Sequence, residues 1–424
     1  MTGSKRRYRW HALVFPFFNV MLNGFNFVFH MLAGRYLPSE QYGQVNALLA
    51  LFTLFSVVGL SIQLVVAKLS FQKADRVGLP QPKVISIFAL LLCFFLLVFA
   101  PVMSNIFQTS LLAYLWLILI LLFHIITSYH RGIMQGSGHL LKLNFSFYTE
   151  VFGKLLIVVF FVICTEKGLS VERLMLAVMI GMLVSAIHGY WMNRTNEYLN
   201  DLPNKTLKIH WHKIKKDLGQ SFILNCCILF FLSLDMLVVH HYIPEQSGEY
   251  AVALKYGQLV YFAAYSIITA LVPRINLSLS YDGEKFNKKN NTLTVILIGY
   301  ILCIFMGLGA YLVCYFTWLP QSISLLFSSH YSVASSILVP TGIVYAIFSI
   351  VVFLAYLHML AGNSRLKIWL MIGAVCMVVA FTMNHRNLWQ ILIDEMIVYS
   401  FLSIGMFVDW LVYIRKLGRQ SQQV

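Results

Sequence analysis

Residues 84–105 read VISIFALLLCFFLLVFAPVMSN, a run that contains no charged side chain. A helix of this length crosses the ~30 Å hydrocarbon layer of a bilayer. Apolar runs of similar length recur along the whole chain of 424 residues, of which 59% are hydrophobic and only 11% charged. Soluble domains carry about 25% charged residues. The sequence therefore predicts an all-α, polytopic membrane protein whose soluble parts are loops.

Twelve of these runs are predicted to span the membrane. The first is interpreted as an uncleaved span, because it is too long for the core of a signal peptide and no small-x-small cleavage site follows it. The seven cysteines lie inside or beside the runs, so we interpret them as packing residues and expect neither disulfides nor a metal site. The predicted spans are 12–33, 44–67, 84–105, 111–128, 145–164, 173–192, 218–241, 251–273, 292–316, 333–357, 368–384 and 396–414.

Basic residues divide unevenly between the segments that join these spans. If the N-terminus is cytoplasmic, four of the 31 Lys and Arg residues lie in external segments and two lie within spans. The other 25 lie in cytoplasmic segments. Such an excess marks cytoplasmic loops, so both termini are predicted to be cytoplasmic. The net charge of +15 is then mainly a topology signal. We expect the basic loops to contact anionic membrane lipids, and we expect no nucleic-acid partner, because no soluble domain presents a basic face.

The chain also repeats a pattern at half its length. Tyr36-Leu37-Pro38 follows the first predicted span, and Tyr242-Ile243-Pro244 follows the seventh. Later in each half, Met134-Gln135-Gly136-Ser137 resembles Leu360-Ala361-Gly362-Asn363. Repeats of equal orientation are related by an axis along the membrane normal, and a cleft between two lobes is the usual plan of an alternating-access transporter. The predicted domains are an N-terminal six-helix lobe, a cytoplasmic basic linker and a C-terminal six-helix lobe, at residues 1–192, 193–217 and 218–424.

Two loop stretches and one tetrapeptide carry a resemblance to a known family. Residues 34–43, GRYLPSEQYG, resemble the external loop between the first two spans of the polysaccharide transporters in the multidrug/oligosaccharidyl-lipid/polysaccharide (MOP, MATE-like) flippase superfamily. Residues 234–251, from Leu234-Asp235-Met236 to Gly248-Glu249-Tyr250-Ala251, resemble the same loop in the second half, and Leu271-Val272-Pro273-Arg274 resembles the usual end of the eighth span.

The resemblance implies a flippase of the bacterial cytoplasmic (inner) membrane. Its substrate would be an undecaprenyl-pyrophosphate-linked oligosaccharide used in O-antigen, capsule or exopolysaccharide synthesis. It also implies that a polysaccharide polymerase and export machinery are possible partners. The lipid II flippases of the superfamily usually carry two further spans, which this sequence does not show.

Polar residues within the predicted spans are the candidate binding groups, because a charge at mid-bilayer costs about 2.5–3.5 kcal/mol on insertion scales. Four polar side chains of span 1 are spaced to share one helical face. They either line the central cleft and bind sugar hydroxyls, or form hydrogen bonds between helices within the lobe. These residues are Asn19, Asn23, Asn26 and His30.

Two charge pairs are predicted inside the membrane. Glu150 and Lys154 are four residues apart, so they either form a local ion pair or make a cationic cleft wall in which Lys154 attracts a pyrophosphate or an acidic sugar. Asp235 and Lys255 are expected at similar depth on the seventh and eighth spans. They are interpreted as a structural ion pair, with ion or proton coupling at Asp235 as the alternative.

Three further cations lie at the ends of spans. Lys68 and Arg274 occupy equivalent positions in the two halves, where they either anchor the protein by the positive-inside rule or form a two-cation gate for the pyrophosphate. Arg35, at the external mouth, is interpreted as an interfacial anchor or as a group that attracts anionic sugar.

No catalytic motif supports an enzyme or a cofactor. The chain has no Gly-x-x-x-x-Gly-Lys-Ser/Thr loop and no His-Glu-x-x-His or Gly-x-Ser-x-Gly motif. A flippase is therefore the main hypothesis, and an ion-coupled multidrug exporter is the alternative within transport. A membrane polysaccharide polymerase is the third hypothesis, and only Asp394-Glu395 with Arg386 offers it an external acid and arginine.

Overall fold

The computed structural model describes residues 2–71, 81–165, 168–194, 211–279 and 286–420. Within its helices, the side chains of 2–17, 19, 71, 211–218, 220–221, 269–279, 286–294 and 415–420 are outside that description. Every regular element in the described ranges is a helix. The fold class predicted from the sequence is thereby confirmed. The chain forms two compact units, residues 1–248 and 249–424.

The first unit contains ten α-helices and one short 3₁₀ turn among its described residues. The longest, α1, runs over Thr2–Tyr36. The others are α2 Ser39–Phe55, α3 Val57–Phe71, α4 Pro82–Val98, α5 Ala100–Ile106, α6 Leu111–Gly136, α7 Leu140–Cys164, α8 Val171–Arg194, α9 Trp211–Phe231 and α10 Leu234–Tyr242, followed by the 3₁₀ turn Pro244–Gln246.

The second unit holds most of α11 and all the helices that follow it. Its described elements are α11 Ser247–Leu279, α12 Phe286–Thr317, α13 Leu319–Leu326, the 3₁₀ turn Ser329–Tyr331, α14 Ala334–Leu360, α15 Leu366–Met383 and α16 Leu388–Gln420. Glycine positions let large side chains pack against helix backbones here. At Gly373, for example, an added Cβ would lie 2.5 Å from Leu402 Cδ1, so α15 and α16 pack closely.

Ten helical segments in the described residues are long and apolar enough to cross a membrane, and a bent pair raises the number to eleven. The bent pair is α4 and α5, which meet at 60° where Pro101 follows the break at Phe99. Proline supplies no N–H for the preceding turn and so favours such a break. The protein is thus a multi-pass membrane protein. Helix α1 covers the first predicted span, but much of it lies outside the described side chains, so that span stays a prediction.

Helix α6 is longer than the sequence suggested. The fourth span was predicted to end at residue 128, whereas α6 continues to Gly136. Its end is a Schellman motif, in which Gly138 has φ +77° and the His139 N–H donates to the Met134 carbonyl at 2.9 Å. The extra turns bring Arg131 inside the helix, and the prediction that this arginine lies in a cytoplasmic loop is wrong.

The matching helix of the second unit, α14, ends in the same way. Gly362 has φ +70°, and the Asn363 N–H donates to the His358 carbonyl at 3.0 Å. The structurally equivalent glycines are therefore Gly138 and Gly362. The sequence comparison instead aligned Gly136 with Gly362, which is two residues out of register.

The predicted division into two six-helix lobes stays a prediction. The first compact unit contains the whole predicted N-terminal lobe and also α9, α10 and the 3₁₀ turn. Part of the predicted linker, residues 195–210, lies outside the described residues.

Candidate functional site

A buried arginine forms the centre of a polar cluster in the first unit. Arg131 projects from α6 and is 3% exposed. Its Nε donates to Ser146 Oγ at 3.0 Å, and one terminal nitrogen donates to the Ser146 carbonyl at 3.0 Å and to Ser185 Oγ at 3.1 Å. The guanidinium carbon lies 3.9 Å from the centroid of the Phe147 ring. Arg131 thus binds side chains or backbone from α7 and α8.

The counter-ion of this arginine is Glu150 on α7. A terminal nitrogen of Arg131 lies 2.7 Å from Glu150 Oε2. Such a charge-assisted hydrogen bond is stronger than a neutral one. The pair links two consecutive antiparallel helices, so the local pair predicted between Glu150 and Lys154 is wrong: the carboxylate binds a cation from another helix.

Close backbone contact between α7 and α8 makes the cluster possible. A Cβ added at Gly181 would lie 2.6 Å from the Glu150 carbonyl oxygen, and one added at Gly153 would lie 3.0 Å from the Gly181 Cα. Because neither glycine has a side chain, the two helices approach until Ser185 Oγ donates to the Ser146 carbonyl at 2.8 Å.

A second cation, Lys154, lies one turn further along α7. Its ammonium donates to Asn26 Oδ1 on α1 at 2.6 Å and lies 4.6 Å from the centroid of the Phe29 ring. Glu150 is ten residues after the start of α7 and Lys154 ten before its end, which places each ~15 Å from an end of the helix. The cluster is therefore near mid-membrane.

The two cations differ in how their donors are used. Four hydrogen bonds hold the Arg131 guanidinium in place and a carboxylate balances its charge. The half-buried Lys154 ammonium has three donors, and among the described residues only Asn26 accepts one of them. With Glu150 paired to Arg131, the formal charge of the three groups is +1. Lys154 is the group with capacity left to bind an anion.

The polar stripe of span 1 meets other helices of its own unit at two positions. Asn26 accepts from Lys154, and His30 Nδ1 lies 3.4 Å from the Tyr42 hydroxyl of α2. Asn23 is half-buried, and the side chain of Asn19 lies outside the described part. Hydrogen bonds between helices thus account for Asn26 and His30, and the cleft-lining role of the stripe stays a prediction.

The pair predicted between Asp235 and Lys255 also stays a prediction. Asp235 is 1% exposed at the start of α10, in the first unit. Lys255 belongs to the second unit, where its ammonium donates to Gln258 Oε1 at 3.4 Å.

Two of the three cations at the span ends occupy helix termini. Lys68 lies in the last turn of α3 and is half-buried, and Arg35 lies exposed in the last turn of α1. Arg274 lies in α11, but its side chain is outside the described part of the structure. Their proposed gate and mouth roles remain untested.

A second polar network lies in the other unit and was missed from the sequence. Asp409 of α16 accepts from Arg365 at 2.7 Å and from Asn363 at 3.0 Å, and Asn363 Nδ2 also lies 2.9 Å from His358 Nδ1. These residues surround the turn between α14 and α15. The network holds that turn against α16, and its signal in the sequence was a lone acid, Asp409, inside an apolar span.

The acidic pair invoked for a polymerase is not in an external loop. Asp394 and Glu395 are both buried within α16, 7% and 2% exposed, and Asn384 donates to Asp394 at 3.3 Å. Arg386 is exposed, before that helix begins. Among the described residues, no group of three His, Cys, Asp or Glu side chains could hold a metal ion.

Arg131 is the site residue that sequence reasoning missed. The apolar run stops near Ser128, so the sequence alone places Arg131 in a loop. Two signals were present: no glycine or proline breaks the helix between Ser128 and Arg131, and the intramembrane acid Glu150 requires a cation close by.

Solved structures with the same architecture identify the class of fold. An inward-facing multidrug resistance MATE family transporter of the MOP superfamily matches with a TM-score of 0.74 at 14% identity, over 96% of this chain and 99% of that one. An outward-facing structure of such a transporter matches with a TM-score of 0.66 at 15% identity, over 96% of both chains. A MATE structure in complex with MaL6 gives 0.67 at 15% identity, over 96% and 97%. The chain therefore shares the fold of these MATE structures.

The family follows from the sequence itself. Residues 13–278 match the profile of the family Polysacc_synt, described as polysaccharide biosynthesis protein. The chain belongs to this family, as the resemblance in its two loop stretches indicated. No curated protein matches the sequence.

Proposed function

We propose that the protein is a flippase that moves undecaprenyl-pyrophosphate-linked oligosaccharide repeat units across the bacterial cytoplasmic membrane. The observation that carries the proposal is Lys154, a mid-membrane ammonium with donors to spare in a cluster of net positive charge. A cation inside the membrane is costly and is usually retained for a function. Membership of the polysaccharide biosynthesis family supports a substrate of this class.

The pyrophosphate is the part of the substrate that this site suits. Phosphate oxygens accept strong charge-assisted hydrogen bonds from an ammonium. The Lys154 ammonium donates to Asn26 Oδ1 at 2.6 Å. The amide groups of Asn26 and of the neighbouring Asn23 are suited to hydrogen bonds with sugar hydroxyls. The polyprenyl tail stays in the bilayer, while alternating access exposes the headgroup first inside and then outside.

The membrane potential favours this direction of movement. Carrying two phosphate charges outward across an inside-negative membrane gains ~2.3 kcal/mol per charge per 100 mV. No bound nucleotide is required for that step. Polysaccharide polymerase and export machinery would consume the product on the outer face.

The test replaces the ammonium and keeps the shape of the side chain. We expect Lys154→Met to abolish flipping of lipid-linked repeat units in cells and proteoliposomes, with unchanged folding, and Lys154→Arg to retain part of it. The matched control is Lys142→Met, which removes a half-buried cation from the same helix. This variant should flip lipid-linked repeat units normally. Cells that lack the protein should accumulate the lipid-linked unit on the inner leaflet. Normal arrival at the outer face in those cells would refute the proposal.

A multidrug exporter coupled to an ion gradient is the second candidate. It is favoured by the MATE-like fold and by Asp235, a carboxylate only 1% exposed within the membrane. It predicts that Asp235→Asn stops drug efflux while Lys154→Met does not. Drug-resistance assays of both variants therefore discriminate the two functions.

A further inference from the structure

One side of α11 carries polar side chains through the middle of the membrane. Gln258 lies ten residues before the end of the apolar segment Pro244–Ile268, which places it ~15 Å from that end along the helix. Lys255 lies about one turn before Gln258, and Tyr265 and Ser266 lie about two turns after it. These spacings put the four side chains on one side of the helix, and all four are half-buried.

Other helices of the same unit show what a side covered by lipid looks like. The exposed side chains of α12 between residues 295 and 313 include Phe305 and Met306, and those of α15 between 368 and 379 include Met371. None of the exposed side chains in these two stretches carries a charge, an amide or a hydroxyl. Polar groups in contact with hydrocarbon are costly. The polar side of α11 is therefore open to water or to a ligand rather than to lipid.

Helix α14 completes this side of the unit. A Cβ added at Gly257 would lie 2.8 Å from Tyr345 Cδ2, so α11 and α14 pack closely there. Gln258 Nε2 donates to the Tyr345 hydroxyl at 3.1 Å, and the hydroxyls of Tyr265 and Tyr356 lie 3.2 Å apart. One hydroxyl of the latter pair donates to the other, and among the described residues the second proton has no acceptor. The half-buried pair can therefore donate to a ligand.

Aromatic rings lie beside these polar groups. The Tyr261 ring stacks on Tyr265, with centroids 5.7 Å apart, and its centroid lies 5.3 Å from that of Phe348. Phe262 is half-buried, and its position along α11 lies between Gln258 and Tyr265. The face of an aromatic ring is negative and attracts C–H groups. A sugar ring has C–H groups on its faces and hydroxyls around its edge, so it suits such a surface.

We call this surface the tyrosine face, and all its residues belong to the second unit. It consists of Lys255, Gln258, Phe262, Tyr265, Ser266 and Tyr356.

The chemistry of the tyrosine face favours a saccharide over a cationic drug. Amides and phenols both donate and accept hydrogen bonds, as sugar hydroxyls do. The sequence has no Asp or Glu between Lys255 and Ile268, so this part of α11 offers no counter-charge to a cation.

We propose that the tyrosine face binds the saccharide of the lipid-linked repeat unit, while Lys154 binds its pyrophosphate. The proposal rests on the flippase function proposed above and names residues that recognise the sugar. An oligosaccharide contains several sugar rings, so these contacts are additional to those of Asn23 and Asn26.

The experiment separates sugar binding from pyrophosphate binding. Two radiolabelled ligands are bound to the full-length protein in lipid nanodiscs: the lipid-linked repeat unit, extracted from the cells that make this protein, and undecaprenyl pyrophosphate without sugar. Tyr265→Phe with Tyr356→Phe removes both partners of one hydrogen bond, so neither is left unpaired. This double variant should bind the repeat unit about tenfold more weakly and the sugar-free ligand as the parent does.

A second double variant tests the middle of the tyrosine face independently. Gln258→Leu with Tyr345→Phe removes both partners of the other hydrogen bond. It should show the same pattern, with weaker binding of the repeat unit and unchanged binding of the sugar-free ligand. Lys154→Met should instead weaken the binding of both ligands, because both carry the pyrophosphate.

The matched control removes two tyrosine hydroxyls elsewhere in the same unit. Tyr300 and Tyr311 of α12 are buried and donate to the carbonyls of Ser349 and Leu338 at 3.2 and 3.0 Å. Tyr300→Phe with Tyr311→Phe should bind both ligands as the parent does.

The outcomes distinguish the sugar site from the flippase function. Parent-like binding of the repeat unit by both tyrosine-face variants would overturn the sugar site and leave the flippase function standing. An equal loss of both ligands would also overturn it, because the sugar-free ligand offers no saccharide to this face. If the parent binds neither ligand, the flippase function fails and the sugar site with it. Ethidium bound by the parent and lost in the tyrosine-face variants would then assign the face to drug binding.

Discussion

At the scale of single residues, the membrane interior makes the treatment of charge decisive. Arg131 is 3% exposed and yet fully used, since a carboxylate, two serine side chains and a backbone carbonyl surround it. A buried pair of this kind adds little net stability, but breaking it leaves an uncompensated charge in a low-dielectric medium. Arg131 therefore holds α6, α7 and α8 together, and Lys154 is the cation that the proposed function assigns to the substrate.

This difference predicts the behaviour of two variants. Arg131→Met should lower the free energy of unfolding by roughly 3–5 kcal/mol, because Glu150 is left buried without its cation. Arg131→Met combined with Glu150→Met should recover much of the loss. Denaturant unfolding in detergent measures both. A single variant as stable as the parent would show that the ion pair is not a structural link.

Local spacing was a good guide to which residues matter and a poor guide to their partners. Asn26, Glu150 and Lys154 were all singled out from the sequence, and all three lie in the cluster. The i, i+4 rule paired Glu150 with Lys154, whereas Arg131, 19 residues earlier, takes the carboxylate. Sequence spacing describes one helix, while the competing partner came from the neighbouring helix.

At the scale of elements, glycines decide how closely the helices approach. Without a hydrophobic driving force between helices in lipid, close backbone packing and interhelical hydrogen bonds hold them together. Gly153 and Gly181 provide this between α7 and α8, and the hydrogen bonds among Ser146, Ser185 and Arg131 depend on it.

Enlarging one of these glycines should loosen the cluster. A methyl group at Gly181 would meet the Glu150 carbonyl oxygen at 2.6 Å, which is backbone and cannot swing aside. Gly181→Ala should therefore cost about 1–3 kcal/mol, seen as a lower melting temperature in detergent.

The matched control is Gly299→Ala on α12. Apart from the adjoining residues and backbone of its own helix, no heavy atom lies within 4 Å of a Cβ at that position, so the alanine should be neutral or stabilising by up to ~1 kcal/mol through its helix propensity. Equal melting temperatures for the Gly181 and Gly299 variants would contradict the packing argument.

Helix ends were harder to infer than helices. The apolar run predicts the part of α6 that lipid or other helices cover. The helix continues beyond it through His130 and Arg131, whose polar groups find partners in the first unit. Its true end is set by Gly138, whose positive φ only the backbone reveals.

At the scale of the whole molecule, the distribution of basic residues predicts the orientation. Ser364 and Asn387 flank α15, the shortest of the candidate spans, and both are exposed. In a cysteine-free background, Ser364→Cys should react with a membrane-impermeant maleimide only in inside-out vesicles, and Asn387→Cys only in intact cells. If both cysteines were labelled from the same side, α15 would not span the membrane, and the predicted orientation of α16 would be reversed.

Composition and periodicity by themselves determined that this chain crosses the membrane many times as helices, because the cost of burying backbone and charge in lipid acts on each segment separately. They also placed the family, since the loop stretches that resemble it are contiguous in sequence. Which charges meet, where α6 ends and which glycines touch were decided only in the tertiary structure. Those features depend on atoms from helices distant in sequence approaching within hydrogen-bonding distance, and no single segment carries that information.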